Sequence, residues 1–217
     1  MAFSRSRPNI VYALVEAKKS ALCRSEDSGN TWTIVNDQPG VSPRPFYYSD
    51  IRVHPANENI VYRLSSPLDF SIDGGRTFKR LMDFFAVHGD FHELWIHPQE
   101  GDFMVVGGDG GIALSYDRGR HWNFVQNLPL GQFYHVSVDL ENPYNIYVGM
   151  QDNGSWRGPS RVLQGQAIFN FHWLPVGWGD GFGTLAVPRD SKLGYSMSQG
   201  GWLVRFNTET GEQKDIR

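Results

Sequence analysis

The chain has 217 residues, a net charge of −3 and 20% charged residues, so it can bury a sizeable core and has no basic excess. A nucleic-acid partner is therefore not expected, since duplex binding usually needs a basic face. One cysteine excludes an intrachain disulfide framework and a zinc site built from several cysteines. No apolar run approaches the roughly 18 residues of a membrane span, so no membrane partner is expected.

Short runs of β-branched and aromatic residues, bounded by Gly, Pro, Asn and Asp, follow one another along the chain. They group into five repeats of four strands, and repeats of about 40–45 residues with four strands are typical of propeller blades. The sequence therefore predicts an all-β fold, a β-propeller of about five four-stranded antiparallel blades, as a single domain over 1–217. The predicted blades are 1–36, 47–82, 90–125, 132–176 and 181–217, with an insertion in the fourth around SRVLQGQAIFNFHW.

One octet marks the first three repeats, reading SEDSGNTW, SIDGGRTF and SYDRGRHW, with aspartates at 27, 73 and 117. Asp and Gly suit a tight turn, Ser and Thr can bond to it, and the final aromatic can pack between sheets. We therefore expect the octet to stabilise the hairpin of the two outer strands, without a catalytic role. Its structural residues are Ser25, Asp27, Gly29, Trp32, Ser71, Asp73, Gly75, Phe78, Ser115, Asp117, Gly119 and Trp122.

Candidate site residues fall in the loops that enter the first strand of a repeat and in the turns between its second and third strands. In a propeller these loops form one rim, and the octet turns lie on the opposite rim. The predicted catalytic carboxylates are Asp90, Asp152 and Asp180, and the predicted ligand-binding residues are His88, His92, Asp109, Tyr47, Tyr48, Tyr134, Gln151 and Trp178.

The segment HGDFHE gives the sharpest catalytic hypothesis, in which Asp90 is a general acid or base tuned by His88 or His92. The alternative is that Asp90 caps the loop and His92 packs near the channel. Glycoside hydrolysis needs two carboxyl groups, so Asp90 would act with Asp152 or Asp180. The segments GGDGG, QDNG and WGDGF can each contribute polar or aromatic groups to a site, or can be simple turns.

Asp90, His92 and Asp109 could also bind Ca²⁺ or another divalent metal. Their spacing matches no strong metal signature, however, and no phosphate-binding, dinucleotide or HExxH motif occurs. The sequence therefore predicts no cofactor and no metal site.

The octets resemble the Asp-box, or bacterial neuraminidase (BNR) repeat, of sialidases, xyloglucan-active hydrolases and sortilin-type propellers. The segments HGDFHELWIHP, GGDGGIALSYDRGRHW and VGMQDNGSWRGPS resemble large bacterial BNR-repeat glycosyl hydrolases or sortilin-like proteins. This resemblance implies a propeller that acts on or binds a polysaccharide or oligosaccharide at the channel rim. The alternatives are a non-catalytic, sortilin-like binding propeller and a protein-interaction scaffold. Sialidase activity is not expected, because the three spaced arginines that clamp sialic acid are missing.

Members of the family are much longer, and the resemblance implies that full-length relatives are secreted or periplasmic. This chain resembles an internal piece of such a protein, and its first residues lack the basic start and long apolar stretch of a signal peptide. Five blades could close into a ring or form an open arc. An arc would favour a homo-oligomer that completes the propeller.

Overall fold

A computed structural model describes residues 1–82, 87–128, 130–163, 165 and 167–216. It contains five four-stranded antiparallel sheets, and in each sheet the strands lie side by side in chain order. Such meanders are the blades of a β-propeller, so the predicted all-β fold class is confirmed. Contacts divide the chain into two compact units, 1–126 and 127–217, which are described separately. The single domain over 1–217 stays a prediction.

Unit 1 holds the first three sheets. The first sheet is β1 Ala2–Phe3, β2 Val11–Val15, β3 Ala21–Ser25 and β4 Thr33–Asn36. The second is β5 Asp50–Val53, β6 Val61–Leu64, β7 Leu68–Ser71 and β8 Lys79–Arg80. The third is β9 Phe91–Ile96, β10 Met104–Gly108, β11 Gly111–Ser115 and β12 Asn123–Phe124.

Unit 2 holds the last two sheets and two short 3₁₀ helices, Asn170–His172 and Gln199–Gly201. The fourth sheet is β13 Phe133–Val138, β14 Asn145–Met150, β15 Gly154–Pro159 and β16 Leu174–Gly177. The fifth is β17 Thr184–Val187, β18 Asp190–Ser198, β19 Trp202–Asn207 and β20 Gln213–Asp215. The predicted insertion lies between β15 and β16. Within the described residues, neither helix has the length and apolar character needed to cross a bilayer.

Each unit is stabilised by apolar side chains between neighbouring sheets. Ile10, Leu22 and Ile51 are in the core between the first and second sheets. A second core in unit 1 joins the second and third sheets through Tyr62, Leu64, Leu68, Leu94 and Met104. In unit 2, Tyr147, Val176 and Phe206 are buried between the fourth and fifth sheets. Alternation of side chains along each strand supplies one face for each neighbour.

The octets lie in the turns between the third and fourth strands of the first three sheets. In the second, the Asp73 carboxylate accepts hydrogen bonds from Ser71 Oγ at 2.7 Å and from the Thr77 N–H at 2.9 Å. Thr77 Oγ1 also donates to Asp73, at 2.6 Å, and Ser71 Oγ accepts the Gly75 N–H at 2.8 Å. The same network recurs around Asp27 and Asp117, with His121 at the position of Thr77 in the third turn. The octet is therefore a hairpin clamp in this chain.

The aromatic residue that ends each octet behaves differently in the first sheet. Phe78 packs against the core between the first and second sheets, and Trp122 against the core between the second and third. Trp32 is 42% exposed and donates from Nε1 to the Gly29 carbonyl. The expectation that this aromatic packs between sheets is therefore wrong for Trp32. Trp32 belongs to the first sheet, and the two cores of unit 1 lie between the first and second sheets and between the second and third.

These clamps predict acid-sensitive stability. Hydrogen bonds from Thr31 lower the pKa of Asp27 to about 2, and those from His121 lower the pKa of Asp117 to about 2. At Asp73 burial raises the pKa, but the hydrogen bonds from Thr77 outweigh this effect and lower it to about 2. A carboxyl whose folded pKa is lower than its unfolded value of about 3.9 stabilises the fold above that value. This stability is lost as the pH falls from about 4 through 2. Thermal unfolding followed by circular dichroism should therefore show a falling Tm across this window.

The Asp73→Asn variant should show a shallower fall in Tm over the same window, because it removes one of the titrating carboxylates. Asp215→Asn is the matched control, since it removes the same charge from the exposed last strand. If Asp73→Asn followed the wild-type pH profile, the clamp carboxylate would not contribute to acid sensitivity.

Candidate functional site

The predicted site residues lie at the edge of each sheet that faces away from the octet turns. The loop entering the first strand and the turn between the second and third strands reach the same edge, because antiparallel strands alternate in direction. In unit 1 these segments are 43–49, 65–67, 87–90 and 109–110, and in unit 2 they are 151–153, 178–183 and 199–201.

Asp90 in unit 1 is held by an arginine and a serine. It directly precedes β9, and its backbone has a φ of 59°, in the left-handed region. Its carboxylate accepts a hydrogen bond from Arg44 Nη1 at 2.7 Å and a second one from Ser66 Oγ. The guanidinium of Arg44 also lies over the ring of Tyr47, 4.4 Å from its centroid. Asp90 is therefore an ion-paired carboxylate that joins two loops.

The electrostatics of this pair favour the charged form of Asp90. Burial raises the pKa of Asp90, but the hydrogen bonds from Ser66 and Arg44 and the charge of Arg44 outweigh it, with a smaller contribution from His88. The pKa of Asp90 is therefore lower than its usual value. A general acid of glycoside hydrolysis needs a raised pKa, so the geometry disfavours Asp90 in that role.

His92 pairs with Asp109, so of the two histidines named as partners of Asp90 it is His88 that acts on the Asp90 carboxylate. The Nε2 of His92 lies 2.8 Å from Asp109 Oδ1, and Tyr47 donates to Asp109 Oδ2 at 3.3 Å. Tyr48 donates its hydroxyl hydrogen bond to the His92 carbonyl, and the two rings are 4.8 Å apart. The carboxylate of the GGDGG segment therefore bonds one side chain of an entering loop and one of β9, which a simple turn residue would not do.

The remaining residue of this cluster, His88, keeps a local contact. Its Nδ1 lies 3.2 Å from the Gly89 carbonyl in the same loop. The structure thus brings together all six site residues predicted in unit 1, in one hydrogen-bonded surface between the second and third sheets. They are Tyr47, Tyr48, His88, Asp90, His92 and Asp109.

In unit 2, two predicted carboxylates meet through the backbone. The N–H of Asp152 donates to Asp180 Oδ1 at 2.9 Å, and the N–H of Asp180 donates to Gln199 Oε1 at 2.7 Å. Asp152 also has a left-handed φ, of 59°. Three loops of the fourth and fifth sheets are thereby linked around Asp180.

Two further predicted residues in unit 2 form a second contact. Tyr134 donates from its hydroxyl to Gln151 Oε1 at 3.1 Å. Its ring stacks on Phe182, with centroids 4.9 Å apart and planes 13° from parallel. Phe182 belongs to the WGDGF segment, so this stack holds that segment against β13.

An exposed aromatic pair lies between this loop and β19, because Trp178 opens WGDGF and Trp202 is the first residue of β19. Trp178 is 45% exposed and Trp202 is 40% exposed, and their ring centroids are 6.1 Å apart at an interplanar angle of 51°. Gln199 Oε1 accepts the N–H of Asp180, so the turn that precedes Trp202 bonds the loop that carries Trp178. The pair offers apolar ring surface next to carboxylate and amide groups.

Close backbone approach explains why WGDGF contains its glycines. A Cβ on Gly181 would lie 2.2 Å from the Gly154 carbonyl oxygen, and one on Gly149 would lie 2.1 Å from that of Phe182. The N–H of Gly181 donates to the Met150 carbonyl at 2.8 Å. The loop thus lies directly on the second and third strands of the fourth sheet.

Across the described ranges, no group of three or more His, Cys, Asp or Glu side chains is placed to hold a metal ion. The suggested set of Asp90, His92 and Asp109 is divided, because Asp90 pairs with Arg44 while His92 pairs with Asp109.

Several site residues were missed by the sequence interpretation. They are Arg44, Ser66, Phe182 and Trp202. Arg44 lies between two prolines in an entering loop, and Trp202 directly follows the SQGG turn, so loop position alone could have suggested both. No sequence pattern predicts the ion pair between Arg44 and Asp90.

Comparison with known proteins gives distant similarities. No family model matches the chain. It is 29% identical over 147 residues to the human VPS10 domain-containing receptor SorCS2, covering 63% of this chain and 12% of that protein. It is 25% identical over 142 residues to human SorCS3, another VPS10 domain-containing receptor, covering 62% of this chain and 11% of that protein. The chain thus spans a small part of the curated relatives it matches.

Among solved structures, the chain aligns with a GH74 xyloglucanase from Xanthomonas campestris at a TM-score of 0.47 and 15% identity, covering 100% of this chain and 38% of that one. It aligns with YCF48 from Cyanidioschyzon merolae at a TM-score of 0.41 and 14% identity, covering 99% of this chain and 69% of that one. The fold is shown by the chain's own five meander sheets. The chain is a β-propeller protein with weak sequence similarity to VPS10-domain receptors.

Proposed function

We propose that this propeller binds an oligosaccharide on the loop surface of unit 2 and does not hydrolyse it. The observation that carries the proposal is the exposed pair of Trp178 and Trp202 beside the linked loops of Asp152, Asp180 and Gln199. Ligand sites combine apolar, often aromatic surface with a few polar groups that fix orientation. A sugar ring has C–H faces that can stack on aromatic rings and hydroxyl groups that can bond to the polar side chains.

The predicted catalytic carboxyl of unit 1 supports binding over hydrolysis. Burial raises the pKa of Asp90, but the hydrogen bonds from Ser66 and Arg44 and the charge of Arg44 outweigh it and lower that pKa. Glycoside hydrolysis needs one carboxyl that stays protonated near neutral pH. Carboxylates that remain ionised can instead accept hydrogen bonds from sugar hydroxyl groups.

Hydrolysis is the second candidate, and one observation favours it. Asp152 and Asp180 are joined by a hydrogen bond of 2.9 Å next to the tryptophan pair, so two carboxylates occupy adjacent loops of one surface. The resemblance to BNR-repeat glycosyl hydrolases points the same way. In this case Asp180 and Asp152 would be the catalytic pair and Trp178 a sugar platform.

We also infer that the octets are Asp-box repeats. The support is the shared turn between the third and fourth strands and the recurring Ser, Asp and Gly hydrogen bonds. A sortilin-like peptide-binding propeller, as the VPS10 similarity suggests, would use the same frame with a different ligand. The ligand class therefore has to be tested directly.

The test is titration calorimetry with oligosaccharides of β-glucan, xyloglucan and xylan and with sialylated oligosaccharides, each followed by mass spectrometry of the sugar. We expect binding without new masses, and Trp178→Ala should weaken it at least about tenfold, the equivalent of about 1.4 kcal/mol. Trp95→Ala is the matched control, because Trp95 is 46% exposed and lies in unit 1, and it should bind like the wild type.

The other outcomes each contradict the proposal in a distinct way. New oligosaccharide masses that disappear in Asp180→Asn would make the chain a hydrolase. Equal weakening by Trp178→Ala and Trp95→Ala would place the sugar elsewhere. No binding of any sugar would favour a peptide ligand or a scaffold role.

A further inference from the structure

The first sheet has one face that carries no charged side chain. Strand pairing places Phe3 beside Val11, Ala13 beside Cys23, and Val15 beside Ala21. Ile34 pairs with Cys23 and extends this face onto β4. We call this set the outer face of the first sheet: Phe3, Val11, Ala13, Val15, Ala21, Cys23 and Ile34.

This face points away from the second sheet. The opposite face carries Tyr12, which donates at 2.8 Å to the carbonyl of Glu58 in the turn between β5 and β6, and Leu22, which packs in the shared core. On the outer face, Phe3 is 66% exposed and Ile34 is 61% exposed. Apolar surface of this kind marks an interaction site when it is contiguous.

Equivalent positions in the next two sheets show what normally covers this face. Val11, Val61 and Met104 each begin the second strand of a sheet and pair with the serine that opens its octet. Val61 and Met104 are fully buried in the cores they share with the preceding sheet, whereas Val11 is only partly buried. The face of the first sheet is therefore shaped to receive another sheet.

The octet aromatics give independent support. Phe78 and Trp122 pack into the core shared with the preceding sheet, whereas Trp32 is 42% exposed. The first sheet thus repeats the residue pattern of the second and third sheets, while its Phe3, Trp32 and Ile34 are exposed.

A face of complementary type occurs on the fifth sheet. Val204 and Phe206 point towards the fourth sheet, and Phe206 packs with Tyr147 and Val176. Residues that alternate with Val204 and Phe206 along the strands point the other way and form the outer face of the fifth sheet. Its apolar members are Leu185 at 59% exposure, Tyr195 at 42%, Met197 at 39% and Leu203 at 38%, and the paired Arg205 and Lys214 lie on the same face.

We propose that the outer face of the first sheet binds the outer face of the fifth sheet of a second copy of this chain. The contact is heterologous, because two different surfaces meet, and it continues the sheet-on-sheet packing seen within each unit. It is independent of any sugar bound by unit 2.

The test uses one charge on each face and measures mass by analytical ultracentrifugation over a hundredfold range of concentration. The wild type should associate into species of two or more copies. Ile34→Asp and Leu185→Asp should each raise the dissociation constant at least about tenfold. Ile72→Asp is the matched control, since Ile72 is 68% exposed in the turn of the second sheet, and it should associate like the wild type.

Mixing the two variants tests the head-to-tail arrangement. Ile34→Asp keeps an intact fifth-sheet face and Leu185→Asp keeps an intact first-sheet face, so their mixture should form a species of two copies with near wild-type affinity. If Leu185→Asp alone associated like the wild type, the proposed pairing would be overturned in favour of first sheet on first sheet.

Cys23 provides a second readout, because it lies in the middle of the outer face and is the sole cysteine. Its reaction with a maleimide should slow as the protein concentration rises, and Leu185→Asp should abolish that protection. A wild type that stays monomeric at all concentrations would overturn the proposal. Concentration-independent protection of Cys23 in that monomer would assign the same faces to closure within one chain.

Discussion

Gly149→Ala is expected to lower the free energy of unfolding of the chain by about 3 kcal/mol, with the loss confined to unit 2. A Cβ at this position would lie 2.1 Å from the Phe182 carbonyl oxygen and 2.3 Å from that of Gly181. Both obstacles are backbone atoms, so no rotamer change can relieve the clash. The loop 178–183 would have to separate from β14, and urea unfolding followed by circular dichroism should report the loss.

The same variant should also impair the proposed sugar surface, because Trp178 and Asp180 belong to the displaced loop. Gly183→Ala is the matched control, since a Cβ there meets nothing within 4 Å, and we expect it to change stability by less than about 0.5 kcal/mol. Equal stability of both variants would show that loop and strand are not in close contact.

Ile51→Ala should lower the free energy of unfolding of unit 1 by a similar amount, about 3 kcal/mol. Ile51 is 1% exposed and packs in the core between the first and second sheets. Removing most of its side chain leaves a cavity whose walls belong to two sheets and can collapse only partly. The loss therefore includes both the transfer free energy and the cavity.

Ile72→Ala is the control for this second prediction, because it makes the same chemical change in the same sheet at a side chain that is 68% exposed. We expect a change smaller than about 0.5 kcal/mol. If Ile51→Ala were as mild as its control, the two sheets would not share a packed core.

The fold could be predicted from the sequence because of the repeat. The octets mark the turns between the outer strands, because Ser, Asp and Gly at set positions form a network of local hydrogen bonds. Local chemistry of this kind needs no distant partner, so its pattern survives in a single sequence. The strands followed from alternation between the turns.

Only part of the candidate site could be predicted from the sequence. Loop position placed Asp90 and Asp109 on one edge, but it left open whether His88 or His92 accompanies Asp90, and in the structure His92 bonds Asp109. The pairing of Arg44 with Asp90 joins residues 46 positions apart, and no local pattern reports such a contact. The ionisation of Asp90 depends on that pairing, so its chemistry could not be read before its neighbours were known.

The octet clamp also bears on the order in which the chain folds. Each clamp closes over eight residues, as in Ser25–Trp32, whereas the contact from Tyr12 to Glu58 that joins two sheets spans 46 positions. Closing a short loop costs less chain entropy and is faster than closing a long one. The outer hairpins are therefore the natural starting points of folding, and the stacking of one sheet on the next is the slow, late step.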